Sequence, residues 1–408
     1  MFLLSALLKR LIRSGRLVVI DGQGRRHEFG MEGRPVVVRL RDKAVERAIG
    51  FNPQLALGEA YMDGGLMIEE GDIYALLDLL TRNLRGSFGG AHWEWLNRLR
   101  LWTRRRMQDN TLARARNNVA HHYDLSGRLY DLFLDNDKQY SCAFFETPED
   151  TLETAQANKC RRIVAKLDLK PGQRVLDIGS GWGGLGLRIA RTEKVDVTGV
   201  TLSEEQLKIA KDRAGRQGLS ERVRFRLEDY RKVEGPFERI VSVGMFEHVG
   251  IPHYREFFDR IAELLTEDGV ALIHAIGRSD GPGVTNPWIA KYIFPGGYTP
   301  ALSEVLPQVE RSGLIVTDVE ILRLHYAMTL AKWRQRFLAN RDRAAQLYDE
   351  RFCRMWEFYL AAAETGFRNQ GLIVFQLQLA KRIDALPLAR DYMMPVAPHL
   401  QENRKSAA

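Results

Sequence analysis

From Arg174 onward, short apolar runs of strand length alternate with stretches of helical spacing. The runs lie at Arg174–Ile178, Val195–Val200, Val223–Leu227, Ile240–Val243, Val270–His274 and Leu314–Val319. Such alternation predicts an α/β unit built on a doubly wound parallel sheet. A segment rich in Gly, Pro and aromatic residues, Gly277 to Pro300, follows the fifth run, where insertions commonly shape a binding pocket. Residues 1–107 have a different texture, with helix-like stretches mixed among β-like runs such as RLVVID and PVVVRL. They predict a smaller α+β domain. Polar residues 108–119 read as a linker, and 120–408 as the larger domain. A chain of 408 residues is too long for one core of ordinary size, which fits this division.

Composition narrows the classes. The chain is 45% hydrophobic, enough for a packed interior. No run approaches the roughly 20 apolar residues needed to span a bilayer. The start, MFLLSALLKRLIRSG, has its apolar stretch before its basic residues, the reverse of a cleavable signal peptide, so a cytoplasmic protein is expected. Cys142, Cys160 and Cys353 form no CxxC pair, so neither a disulfide framework nor a metal site is expected. The net charge of +8 points to an acidic partner, nucleic acid or an anionic membrane surface. Between His92 and Met107, tryptophan and arginine interleave. Trp95, Leu99 and Trp102 would share one face of a helix, with Arg98, Arg104 and Arg105 off that line. This suits either a helix seated among lipid headgroups or one buried between domains. The stripe Leu4, Leu8, Leu11 carries the same two readings.

The first chemical signal is RVLDIGSGWGG, residues 174–184. An apolar strand ends at Asp177 and runs into Gly179, Gly181 and Gly183 before a helix. Glycines let the backbone turn sharply and approach a ligand closely. The segment matches neither GxGxxG nor a P-loop, since no lysine follows. Its D-x-G-x-G form resembles motif I of the class I methyltransferases, which bind S-adenosylmethionine on a Rossmann-like sheet. GVTLSEEQ and LEDY end the second and third strands, at the carboxyl edge where open α/β sheets bind ligands. Asp229 there suits an adenine amino group, and Tyr230 could stack beside it. Taken alone, Asp229 would be read as a helix cap.

Five segments in order extend the resemblance. They are HYDLSGRLYDLFLDNDKQYSCAFFE from His122, LDIGSGWGG, TLSEEQ, SVGMFEHVG from Ser242, and NPWIAKYIFPGG from Asn286. Together they resemble the cyclopropane-fatty-acyl-phospholipid synthases and the related mycolic acid cyclopropane synthases, across about 120 to 395. The extra N-terminal domain resembles the phospholipid enzymes, in which it is thought to engage lipid. The resemblance implies methyl transfer from S-adenosylmethionine to the double bond of an unsaturated phospholipid acyl chain, with bicarbonate taking the proton whose loss closes the ring. It directs the positive charge to an anionic membrane surface rather than nucleic acid, with the enzyme peripheral at the inner face. A homo-oligomer stays open.

Carried across residue by residue, the resemblance implies a bicarbonate site of Cys142, Glu247, His274, Ile276 and Tyr326. The Cys142 and Ile276 backbone, His274 and Tyr326 would donate, and the Glu247 carboxylate would accept the anion's O–H. Phe246, Trp288 and Tyr292 offer faces for a cation. For S-adenosylmethionine it implies Tyr140, Ser141, Asp177, Gly179, Gly181, Gly183, Thr201, Ser203, Gln206, Asp229 and Tyr230. In isolation these types read otherwise: Cys142 as a small core residue, Glu247 as a cap or surface charge, His274 and Tyr326 as packed core. Some phospholipid synthases carry a cysteine where LAAAETGFR here places Ala363, so no covalent cysteine acts at that position. Three rivals remain: a methyl-branched or hydroxylated product, a small-molecule N-methyltransferase, and a lipid-binding protein without catalysis.

Overall fold

A computed structural model describes residues 1–84 and 127–394. The Trp/Arg segment and the 108–119 linker lie outside them. The N-terminal part opens with helix Phe2–Leu11, followed by strands β1 (Arg16–Ile20), β2 (Arg26–Gly30) and β3 (Pro35–Leu40). Helices Lys43–Phe51 and Pro53–Met62, strand β4 (Leu66–Glu70) and helix Ile73–Leu84 complete it. The strands form a mixed sheet in the order β2-β1-β3-β4. Both β-like runs of the sequence become its central strands β1 and β3, and Val18, Val19, Val37 and Val38 are buried there.

The larger sheet holds seven strands: β5 (Arg174–Ile178), β6 (Asp196–Thr201), β7 (Val223–Leu227), β8 (Phe237–Val243), β9 (Leu265–Arg278), β10 (Ile315–Ile321) and β11 (Leu372–Ala380). Their order is β10-β11-β9-β8-β5-β6-β7. The chain winds outward from β5 to β7, then returns to the other side of β5 at β8. That reversal makes the switch point where such sheets bind ligands. The sheet is doubly wound and parallel as expected except at β11, which runs antiparallel to both β9 and β10. Helix Glu350–Asn369 delivers the chain to the carboxyl edge, where Leu372 pairs with Arg278, so β11 can only run back.

One apolar cluster joins the two sheets' surroundings. It includes Leu4, Leu8, Leu11, Val38, Leu76 and Leu77 together with Tyr130, Trp288, Trp333 and Trp356. The stripe on the first helix therefore faces inward. Polar contacts rivet the same junction: Tyr61 donates to Glu357 at 2.7 Å, and Asn369 donates to Asp78 and Thr81 at 3.0 and 2.9 Å. Added bulk is not tolerated there, since a Cβ on Gly58 would stand 2.5 Å from the Trp288 indole nitrogen. Among the described residues no helix is long and apolar enough to cross a membrane.

Candidate active site

Two cavities meet at the carboxyl edge of the large sheet. The smaller, about 170 Å³, sits over the ends of β5, β6 and β8. Tyr140, Ser141, Asp177, Gly179, Gly181, Thr201, Gln206, Asp229 and Tyr230 all line it. Two expected members do not. Gly183 (φ +81°) packs against β7 and the helix Glu204–Arg216, because a Cβ there would lie 2.7 Å from the Phe225 ring and 3.0 Å from Ala210. Ser203 caps helix Glu204–Arg216 by accepting from the Gln206 backbone. Gly181, by contrast, has φ +54° and open space where a Cβ would be. The loop can thus receive a ligand against its backbone.

Asp229 combines both readings made of it. It caps the turn Tyr230–Lys232, and its carboxylate accepts from Arg231 at 2.8 and 2.9 Å. It also lines the pocket, where the adenine reading places it. Asp177 keeps a buried, unpartnered Oδ2, as Ser180 does its hydroxyl. Burial pushes Asp177 up to about 7. The lining also includes Trp182, Met245 and His248, which the sequence reasoning did not single out although all three lie inside quoted motifs.

The larger cavity, about 420 Å³, is overwhelmingly apolar. Cys142, Glu247, His274, Ile276 and Tyr326 line its inner end. Tyr140, Ser141, Gly244 and His248 border both cavities, so the two spaces touch at the 140–142 strap and the loop after β8. The strap is pinned from helix Leu152–Leu167: Gln156 donates to the Ser141 carbonyl at 2.9 Å, and Lys159 to the Ser141 hydroxyl at 2.9 Å. The outer end of the chamber is walled by the N-terminal part, with Leu4, Leu8, Leu57, Leu76 and Leu80 among its lining. No periodicity could have announced that wall, because its residues come from separate elements.

Glu247 is buried, and its Oε1 accepts from the Ile276 backbone N–H at 2.6 Å. Its Oε2 is buried without a partner. Burial pushes this carboxyl up to about 7. The Ile276 N–H, expected to donate to an anion, is instead engaged in holding Glu247. Cys142 donates to the Ala143 carbonyl at 3.3 Å, and burial pushes its thiol up, so it is no nucleophile. The cation faces also need correction. Phe246 is enclosed by Tyr254, Phe257 and Phe258. Tyr292 lies outside the lining and donates to Glu59. Trp288 does line the chamber, with Phe294, Tyr298, Tyr359 and Phe367. Ala363 lines it too.

Comparison with known proteins identifies the family and the fold. The family described as mycolic acid cyclopropane synthetase matches residues 110–377. Cyclopropane-fatty-acyl-phospholipid synthase of Escherichia coli K12 is 37% identical over 350 residues, covering 86% of this chain and 89% of that protein. Tuberculostearic acid methyltransferase UfaA1 of Mycobacterium tuberculosis is 38% identical over 360 residues, covering 84% and 82%. The solved structure of mycolic acid cyclopropane synthase CmaA1 with SAH and CTAB superposes with a TM-score of 0.61 at 34% identity, over 65% of this chain and 97% of that one. This chain is therefore a class I methyltransferase in fold and belongs to the mycolic acid cyclopropane synthetase family.

Proposed function

We propose that this protein transfers the methyl carbon of S-adenosylmethionine to the double bond of an unsaturated phospholipid acyl chain and closes a cyclopropane ring with bicarbonate as base. The observation that carries this reading is the bare Glu247 Oε2 in an apolar chamber that touches a glycine-lined pocket. Bound in the smaller pocket, S-adenosylmethionine would supply an electrophilic methyl and leave as S-adenosylhomocysteine. The chamber's apolar wall suits a hydrocarbon chain and keeps water from a carbocation. Glu247 offers an acceptor for the O–H of bicarbonate, and His274 and Tyr326 stand as donors to its oxygens. Ile276 acts one step back by holding the carboxylate. The anion then takes a proton from the transferred carbon, whose bonding pair closes the ring. The net charge of +8 favours an anionic bilayer face as the source of the acyl chain.

A methyl-branched product is the second reading, since UfaA1 and the Escherichia coli synthase are almost equally similar to this chain. Mass spectrometry separates the two. Lipids from cells expressing the protein should show the parent acyl chain plus one CH₂, with the double bond gone. Reaction in carbonate-depleted buffer should lose most of that product and recover on adding bicarbonate. A saturated branch or an added hydroxyl would sink ring closure and leave methyl transfer standing.

A further inference from the structure

The antiparallel strand β11 places Gln376 directly opposite His274 of β9. The Gln376 side-chain nitrogen lies 3.0 Å from His274 Nδ1, and its oxygen accepts from Lys166 Nζ at 2.7 Å. All three side chains are 2% exposed. Lys166 is itself fixed: it pairs with Glu320, and its carbonyl accepts from Gln378 at 2.6 Å. An ammonium can only donate, so the amide oxygen must face Lys166 and the amide NH₂ must face the imidazole. An NH₂ group can only donate, so Nδ1 must accept and cannot carry hydrogen.

We propose that Lys166 and Gln376 lock His274 as the tautomer protonated at Nε2, making the ring a fixed hydrogen-bond donor into the apolar chamber. Neither Lys166 nor Gln376 lines that chamber; both are positioning residues acting through His274. His274 Nε2 has no partner among the described residues, and the ring lines the chamber beside Glu247 and Tyr326. An imidazolium would set an Nδ1–H against the amide NH₂. Burial, with the charges of Lys159 and Lys166, accordingly holds His274 down to about 3. The ring therefore cannot serve as the base at Nε2, and an anion is the ligand it suits. The choice of bicarbonate as that anion rests on the reading above.

The test is selective ¹⁵N-histidine labelling of the full chain, with the His274 signals assigned by their loss in His274→Gln. Long-range ¹H–¹⁵N spectra near neutral pH should show an unprotonated Nδ1 and a protonated Nε2. A protonated Nδ1, an imidazolium, or averaging between tautomers would overturn the proposal. In Gln376→Glu the new carboxylate can accept, so Nδ1 should gain a proton; an unchanged pattern in the folded variant would also overturn it. Gln376→Leu should raise the bicarbonate concentration for half-maximal rate by about tenfold, with S-adenosylmethionine affinity unchanged. Should wild-type His274 show the Nε2–H pattern while neither its shifts nor the rate respond to bicarbonate, the tautomer lock stands and bicarbonate as ligand is lost.

Discussion

The smaller pocket is built largely from short contiguous segments: the glycine turn after β5 and the ends of β5, β6 and β8. The larger chamber is built from side chains that span the chain from Leu4 to Leu372. The first presents polar groups at fixed places and suits a ligand of one shape. The second presents apolar surface of little directionality and suits a flexible hydrocarbon. Among the chamber's few buried polar groups Glu247 is foremost, and the backbone N–H of Ile276 holds it. The difference teaches where each kind of damage will register. Pocket changes should alter cofactor affinity, and chamber changes should alter lipid use.

The largest effect is expected at Gly181. Gly181→Asn tolerates a left-handed backbone while filling the open space with a side chain. S-Adenosylmethionine affinity by calorimetry should fall at least about a hundredfold, roughly 2.7 kcal/mol, with the melting temperature nearly unchanged. Unaltered affinity in a folded variant would end the glycine-loop argument. On the other side of the comparison, Leu80→Trp narrows the chamber far from the glycine loop. Displacing two or three methylenes of a bound acyl chain at ~0.8 kcal/mol each costs about 2 kcal/mol, or about thirtyfold in kcat/KM for phospholipid. Cofactor affinity should not move. If lipid turnover is untouched, the acyl chain does not reach the N-terminal part.

The same contrast governs what the sequence disclosed. The smaller pocket is legible because its requirements are local: Asp177 to Gly181 is a contiguous strand and turn, and the strands beside it were recognisable as apolar runs. The expected boundaries of β5 and β7 agree with the structure residue for residue. The error at Gly183 was one of role, since a ligand contact and a close helix–strand contact both demand glycine. The chamber's outer wall was not legible, because Leu4, Leu57 and Leu80 converge only through tertiary packing. Strand β11 escaped for a related reason. Its Gln376 and Gln378 interrupt the apolar run, yet both are buried and satisfied by neighbours remote in sequence. β2 and β4 are short and largely exposed, so their patterns were weak.

Gly183 gives a smaller effect that sharpens the distinction. A methyl group in Gly183→Ala meets the Phe225 ring at 2.7 Å, and Phe225 is buried and cannot move aside into solvent. With the left-handed backbone added, the cost should be about 2 kcal/mol of stability, read as a lowered denaturation midpoint. Cofactor affinity of the folded fraction should stay near wild type. A large affinity loss without destabilisation would return Gly183 to the pocket.

The smallest effect concerns Glu247 in the chamber. Its carboxyl is pushed up to about 7 by burial, so it is protonated below that pH and ionised above it. Only the ionised form leaves Oε2 free to accept the O–H of bicarbonate. At constant bicarbonate concentration, turnover should therefore rise with pH, about tenfold per unit below 7, and level off above it. Glu247→Gln keeps the shape but replaces an acceptor-only group with an amide. Its turnover at pH 8 should drop by at least about tenfold, roughly 1.4 kcal/mol of barrier, and the acid limb should flatten. Cofactor affinity should be preserved, because Glu247 lines the chamber and not the glycine pocket. Asp177, also held near 7 by burial, is the rival source of the limb and does line the glycine pocket. A Glu247→Gln enzyme that keeps both its rate and its acid limb would move the titration to Asp177 and take Glu247 out of the chemistry.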